Sequence, residues 1–140
     1  MGYLARREHS QEELRLKLVH KGFPETLVNA VIADFSERGL QSNARFAEVF
    51  TRSRLARGLG AQRIRHELRQ RGIRDQQIPE MAGLNWDEQI SRVHARKFGD
   101  DPPATLPERA ARERFLLGRG FTGEQIRRLF RRLREGGNED

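Results

Sequence analysis

The sequence contains no cysteine. That absence removes disulfides, a thiol nucleophile and a thiolate zinc site together. Long apolar runs are missing too: no window approaches the ~18 apolar residues needed to cross a bilayer. Met1 to Glu8 holds no apolar core of signal-peptide length. A soluble, cytoplasmic protein with no membrane partner is expected. Aromatic side chains are few, with one Trp and one Tyr, which gives little support to the base stacking of dedicated single-strand binders. No stretch alternates apolar and polar residues, so no strand is expected. Proline numbers five and low-complexity tracts are absent, so disorder does not account for the high charge.

Lysine is scarce as well. Only Lys17, Lys21 and Lys97 occur, and the remaining 24 basic residues are arginines, for a formal charge of +7. Arginine presents a planar fork that binds phosphate or carboxylate through two parallel hydrogen bonds, which favours a polyanionic partner. A GC-rich genome would enrich arginine everywhere, but it would not cluster it. Hydrophobic residues make up 36% of the chain, many of them alanine. That leaves a thin core for the length and favours an elongated array of small helices over a globule with a deep interior.

Helix signals are dense. Leu4 and Ala5, followed by Arg6 to His9, read as the end of a short helix. Ser10 and Glu13 form a capping box that opens a helix through Leu14 and Leu18, stopping at Gly22. Pro24 suits the first turn of the next, whose stripe is Leu27, Val28, Val31, Ile32 and Phe35, and which stops at Gly39. Ser42 caps a third helix with Phe46, Val49 and Phe50, ending at Gly58. Gly60 to Gly72 is a fourth, with Ile64 and Leu68 on its apolar edge. A shorter helix is expected around Ile78, Met81 and Leu84. Asn85 to Glu88 starts another, with Trp86 as a staple and Ile90, Val93 and Phe98 continuing the stripe. Gly99 to Ala104, with Pro102 and Pro103, is the longest irregular stretch and the best place for a hinge or exposed loop. Thr105 and Pro107 reopen helix up to Gly118. Thr122 and Gln125 box the last one, which carries Ile126, Leu129, Phe130 and Leu133.

The helices repeat. Gly22, Gly72 and Gly120 are preceded four residues earlier by Leu18, Leu68 and Leu116, and followed at once by Phe23, Ile73 and Phe121. Six residues after each glycine stand Val28, Ile78 and Ile126; nine after stand Val31, Met81 and Leu129. Eight before, Leu14 and Ile64 agree, but the third copy has Arg112. Such coincidences at one period indicate tandem helical units that bury their apolar edges against each other. The expected fold is all-α: an elongated tandem array of three three-helix repeats at residues 1–40, 41–84 and 85–135, with a disordered tail at 136–140. The repeated glycines read as left-handed helix C-caps, since no phosphate-loop pattern accompanies them. Phe23, Ile73 and Phe121 read as core residues that lock each helix pair.

Catalytic and metal-binding constellations are absent from the pattern. His9, His20, His66 and His94 share no ligand spacing, and no serine has a nucleophile-elbow context. No catalytic, cofactor-binding or metal residue is therefore assigned. Binding is better supported. Between Arg52 and Arg74 lie eight arginines and a single acid, Glu67, so local ion pairing is expected to be scarce. With Ile64 and Leu68 inward, Arg65 and Arg69 stand one turn apart on the outward side. Arg52, Arg54 and Arg57 precede them across a glycine-rich turn and could join the same surface. The last helix repeats the theme with Arg127, Arg128, Arg131 and Arg132. The bland alternative is that these arginines solvate exposed faces and pair with acids.

Taken together, Leu4 to Ser10, Glu13-Leu14, Lys21-Gly22-Phe23, Gly39-Leu40 and Arg45-Phe46-Ala47 resemble the RecX family. So do Arg54 to Gly60, Arg63 to Leu68, Gly72-Ile73, Arg96-Lys97-Phe98-Gly99 and Arg114 to Phe121. The ordered set runs from about residue 3 to 134. Two departures stand out: Gln41 to Ala44, where the family usually places acids, and Leu59-Gly60-Ala61, where an aromatic and a proline are common. The resemblance implies a bacterial regulator without catalytic activity or cofactor, a monomer that binds the RecA recombinase in the helical groove of its filament on single-stranded DNA. It implies restraint of filament growth, ATP hydrolysis, strand exchange and co-protease activity, with single- or double-stranded DNA as a further partner. The alternative is a helical-repeat module whose direct target is DNA.

Overall fold

The computed structural model describes residues 8–137. The helix end expected around Leu4 and Ala5 lies outside them, as do the last three residues of the expected tail. Among the described residues there are seven α-helices and no strand: α1 (Gln11–His20), α2 (Glu25–Glu37), α3 (Asn43–Ala56), α4 (Ala61–Gln70), α5 (Trp86–Phe98), α6 (Leu106–Gly118) and α7 (Gly123–Gly137). No helix among them is long and apolar enough to cross a membrane.

The starts follow the capping chemistry. Ser10 Oγ accepts from the Glu13 amide at 3.0 Å while Glu13 accepts from the Ser10 amide at 3.3 Å. Ser42 accepts from the Arg45 amide, Asn85 from Glu88 and Thr105 from Glu108. Thr122 and Gln125 complete a reciprocal box ahead of α7. The ends are equally regular. Gly22, Gly72 and Gly120 have φ of 99°, 81° and 102°, a region that only glycine enters without strain. In each case the residue after the glycine donates its amide to the carbonyl five residues back: Phe23 to Leu18, Ile73 to Leu68 and Phe121 to Leu116. This is the Schellman closure of a helix C-terminus, made three times at the repeat period.

Three expectations need correction. No α-helix covers Ile78, Met81 and Leu84; a 3-10 turn, Asp75–Gln77, precedes them, and the stretch itself runs as turns and irregular chain. Ile78 is extended (ψ 131°) because it precedes Pro79, and a residue before proline is driven out of the α region. Phe23 is 47% exposed, whereas Ile73 and Phe121 are each 2% exposed. The described part of the first repeat supplies only α1 and α2, and this pair closes over Leu14, Val28 and Ile32, leaving Phe23 at the rim. Finally, α7 continues through Gly136 and Gly137 into the stretch expected as tail.

The chain divides into two compact units: residues up to Ser53 with Arg65–Pro79, and Arg54–Ile64 with Glu80 onward. The division passes through α3 and α4. In the first unit Leu14, Val28 and Ile32 form a buried cluster rimmed by Leu18, Val19 and Phe35. The Phe46 and Phe50 rings lie 5.5 Å apart, with the Arg71 guanidinium 4.7 Å above Phe50. Gln41 is buried; its side chain donates to the His9 carbonyl and to Asn43 Oδ1 and accepts from Ser36. A neutral amide satisfied on both ends fits this buried position better than an acid would.

In the second unit Ile90, Leu116, Phe121, Ile126, Leu129 and Phe130 make the core, with Trp86, Val93, Phe115 and Leu133 packed around it. Trp86 reaches back to the Met81 carbonyl at 2.9 Å. Arg112, which breaks the repeat, occupies its position productively. Its side chain is only 12% exposed; it bonds His94 Nε2 at 3.1 Å, donates to the Asp101 carbonyl at 2.8 Å, and lies 5.1 Å from the Phe98 ring centre. The 99–105 loop is thereby tied to α6.

Candidate anion-binding surfaces

The first unit carries Arg52, Arg65 and Arg69. Arg65 is half-buried beside the apolar edge of α4, and Arg52 is exposed; neither has an ion-pair partner among the described residues. Arg69 is different, because it pairs with Asp75 at 2.8 Å. Arg71 pairs with Glu13 at 3.6 Å, so an acid from α1 reaches this arginine-rich stretch. The expected scarcity of pairing therefore holds only in part: acids come from the end of the stretch and from another helix.

The second unit carries Arg54, Arg57 and the four α7 arginines. Arg128 pairs with Asp87 at 3.3 Å and Glu124 at 3.0 Å. Arg132 pairs with Asp87 at 3.5 Å and bonds Ser91 at 3.0 Å. These two link α7 to α5 and are partly committed to packing. Arg127 and Arg131, on the outer side, are exposed and have no acid partner among the described residues.

Arg57 lines a groove that no single stretch of sequence marks. This groove of about 780 Å³ opens between the C-terminal end of α3, α5 and α6, lined by Leu55, Arg57, Gln89, Val93, Phe115 and Arg119 among others. Arg92, Arg96 and Lys97 complete its wall, giving five cations and no acid. Its floor is held by Gln89, which is buried and donates to the Leu55 carbonyl at 2.8 Å and the Leu59 carbonyl at 3.3 Å. At Gly58 (φ 85°) α5 comes so close that an added Cβ would sit 2.9 Å from Val93 Cγ2. These contacts bring the last turn of α3 against α5.

Three of the five cations are held in place. Gln89 Oε1 accepts from Arg92, and Arg119 donates to the Arg57 carbonyl at 3.2 Å. Lys97 and Arg119 lie over the Phe115 ring at 4.7 Å and 5.2 Å. None of the five makes an ion pair among the described residues. The available signal was the i, i+4 spacing of Arg92 with Arg96 on α5 and of Phe115 with Arg119 on α6. It was hidden because the two pairs lie far apart in sequence, and only tertiary packing faces them.

Among the described residues no group of three His, Cys, Asp or Glu side chains could hold a metal ion. His94 is buried, and burial together with the neighbouring Arg112 charge holds its imidazole below the ordinary histidine range. What these surfaces offer is recognition of negative charge.

Comparison with known proteins agrees with this picture. Three family models match in order: RecX, first three-helix domain, at residues 1–35; RecX, second three-helix domain, at 42–80; and RecX, third three-helix domain, at 86–130. The regulatory protein RecX of Halorhodospira halophila is 45% identical over 127 residues, covering 89% of this chain and 79% of the relative. That of Pseudomonas fluorescens is 41% identical over 132 residues, covering 92% and 85%. The crystal structure of RecX from Lactobacillus salivarius superposes with a TM-score of 0.72 at 19% identity over 94% of this chain and 89% of that one, a likeness of fold. With three ordered domains, close relatives over nearly its whole length and a shared fold, the chain belongs to the RecX family.

Proposed function

We propose that this chain is a negative modulator of the RecA recombinase, binding in the groove of the RecA filament on single-stranded DNA. There it restrains filament growth, ATP hydrolysis and strand exchange during recombination and repair. The observation that carries this reading is the ordered match of three domains along the chain to proteins named as regulatory. The physical character agrees: a basic, all-helical chain with a groove of arginines and a lysine, three of them held in place. In this reading it works in the cytoplasm as a monomer, with repeats bounded near residues 40 and 84. The arginines at 52, 54, 57, 65, 69, 127, 128, 131 and 132 supply the contacts to the filament.

The direct test is ATP hydrolysis by RecA on single-stranded DNA while this protein is titrated in. Inhibition at or below equimolar ratio is expected. An unchanged rate at that ratio overturns the proposal.

A further inference from the structure

We infer that the groove between α3, α5 and α6 is a binding site for the phosphate backbone of a nucleic-acid strand, read without contacts to the bases. This goes beyond the recombinase reading and does not depend on it.

Arg57, Arg92, Arg96, Lys97 and Arg119 share one concave wall with no acid. Several arginines elsewhere find carboxylates: Arg15 with Glu12, Arg69 with Asp75, Arg109 with Glu113, Arg128 with Asp87. Holding five cations together without a counter-charge opposes folding through self-repulsion, and it focuses a positive potential into the groove. The chain has acids to spend here and places none.

The ligand class follows from what the cations are doing. A protein partner is anchored at the centre of an interface by aromatic side chains and arginines acting together, with the other charges moved to the rim. In this groove the arginines stand without a free aromatic anchor. The one aromatic, Phe115, has Lys97 and Arg119 over its ring, so it is not free to anchor an apolar side chain or to stack a base. What remains accessible is a row of N–H donors. Arg92 and Arg96 lie one turn apart along α5, while Arg119 and Arg57 face them from α6 and the end of α3. Arg119 and Arg92 are pre-oriented by the Arg57 carbonyl and by Gln89. Spaced, oriented guanidinium groups without a stacking platform fit a polyphosphate chain and carry no sequence preference.

The test uses the full chain and a fluorescein-labelled oligodeoxythymidylate of twenty nucleotides, read by anisotropy across a salt series with no recombinase present. Arg92→Gln with Arg96→Gln is compared with Arg114→Gln with Arg134→Gln, which removes the same charge outside the groove. Circular dichroism checks that both variants keep their helices. The groove variant is expected to bind about tenfold more weakly, with a log–log salt slope smaller by roughly 1.4, the value for two phosphates on a single strand. The control is expected to lose less than about threefold. A polyglutamate competitor at equal charge is expected to displace the oligonucleotide poorly.

Equal losses in the two variants overturn the site, because binding then follows net charge alone. No binding by the parent at 50 mM salt also overturns it. Efficient displacement by polyglutamate reassigns the groove to an acidic protein segment and overturns the nucleic-acid ligand. Failure of RecA inhibition leaves all of these readings untouched, so the two proposals fall separately.

Discussion

Arg112 and His94 illustrate how one side chain can be both an exception in sequence and a necessity in structure. Arg112 stands where the other repeats have Leu14 and Ile64, and it fills the position by bonding His94 Nε2. That bond requires an unprotonated Nε2, since a guanidinium can only donate. Burial and the Arg112 charge both lower the His94 pKa, against weaker raising effects from the Gly99 backbone and Asp100. The unfolded chain, with His94 near 6.5, therefore takes up a proton at higher pH than the folded chain does. Where the unfolded state binds more protons, stability rises with pH. This contribution is level above about pH 6.5 and is lost as pH falls below that value. The thermal midpoint is expected to drop between pH 7 and pH 5, and to drop less in His94→Gln. Parallel pH dependences in the two proteins would remove His94 from the explanation. The repeat register marks Arg112 as unusual, but its partner lies 18 residues away on another helix, beyond any local pattern.

At the scale of elements, the helix ends hold most of the specificity. Gly60 donates its amide to the Arg119 carbonyl at 2.8 Å, and the Gln62 amide donates to Gly120 at 3.2 Å. The first turn of α4 thus finds acceptors in the end of α6, and the two opposed helix ends satisfy each other. The approach leaves no room: a Cβ on Gly60 would lie 2.5 Å from the Gly120 backbone. Gly60→Ala is expected to cost about 1–3 kcal/mol, as for other overpacked sites. Gly83→Ala, where nothing lies within 4 Å, is expected to stay within roughly 0.5 kcal/mol, as for an open surface site. Denaturant titration distinguishes them, and equal midpoints would show that the backbone moves aside freely. Capping boxes and closing glycines were legible because each is a local signal within a few residues. The missed feature, the 78–84 stretch, was a stripe of apolar residues with helical spacing interrupted by Pro79, and the proline prevailed.

At the scale of the molecule, the distribution of charge decides where partners meet it. Arg65 and Arg69 share a face of α4, and only Arg69 has a pair, with Asp75; both members are more than half exposed. An exposed pair contributes at most about 1 kcal/mol, so Arg65→Glu with Arg69→Glu should keep the helical content seen by circular dichroism. The same variant is expected to need at least about fivefold more protein for half-inhibition of the RecA ATPase, a drop of roughly 1 kcal/mol in binding. Unchanged inhibition would place the filament contact elsewhere, with Arg127 and Arg131 of α7 the next pair to reverse.

The seven helices, their caps, the three-fold repetition and the excess of arginine could be read from the sequence itself, because each depends on neighbours a few residues apart or on simple counts. Leu68, Ile73, Leu116 and Phe121 could be assigned to the interior from period alone, and all are buried. Phe23 could not, because burial depends on what else is present to cover a residue. The tertiary structure also decided which arginines are occupied. Arg128 and Arg132 meet Asp87, which lies 41 and 45 positions earlier in the chain, whereas Arg92, Arg96 and Arg119 meet no acid at all among the described residues. Ion pairing acts through space over a few ångströms, so no count along the chain can say which charges remain for a partner.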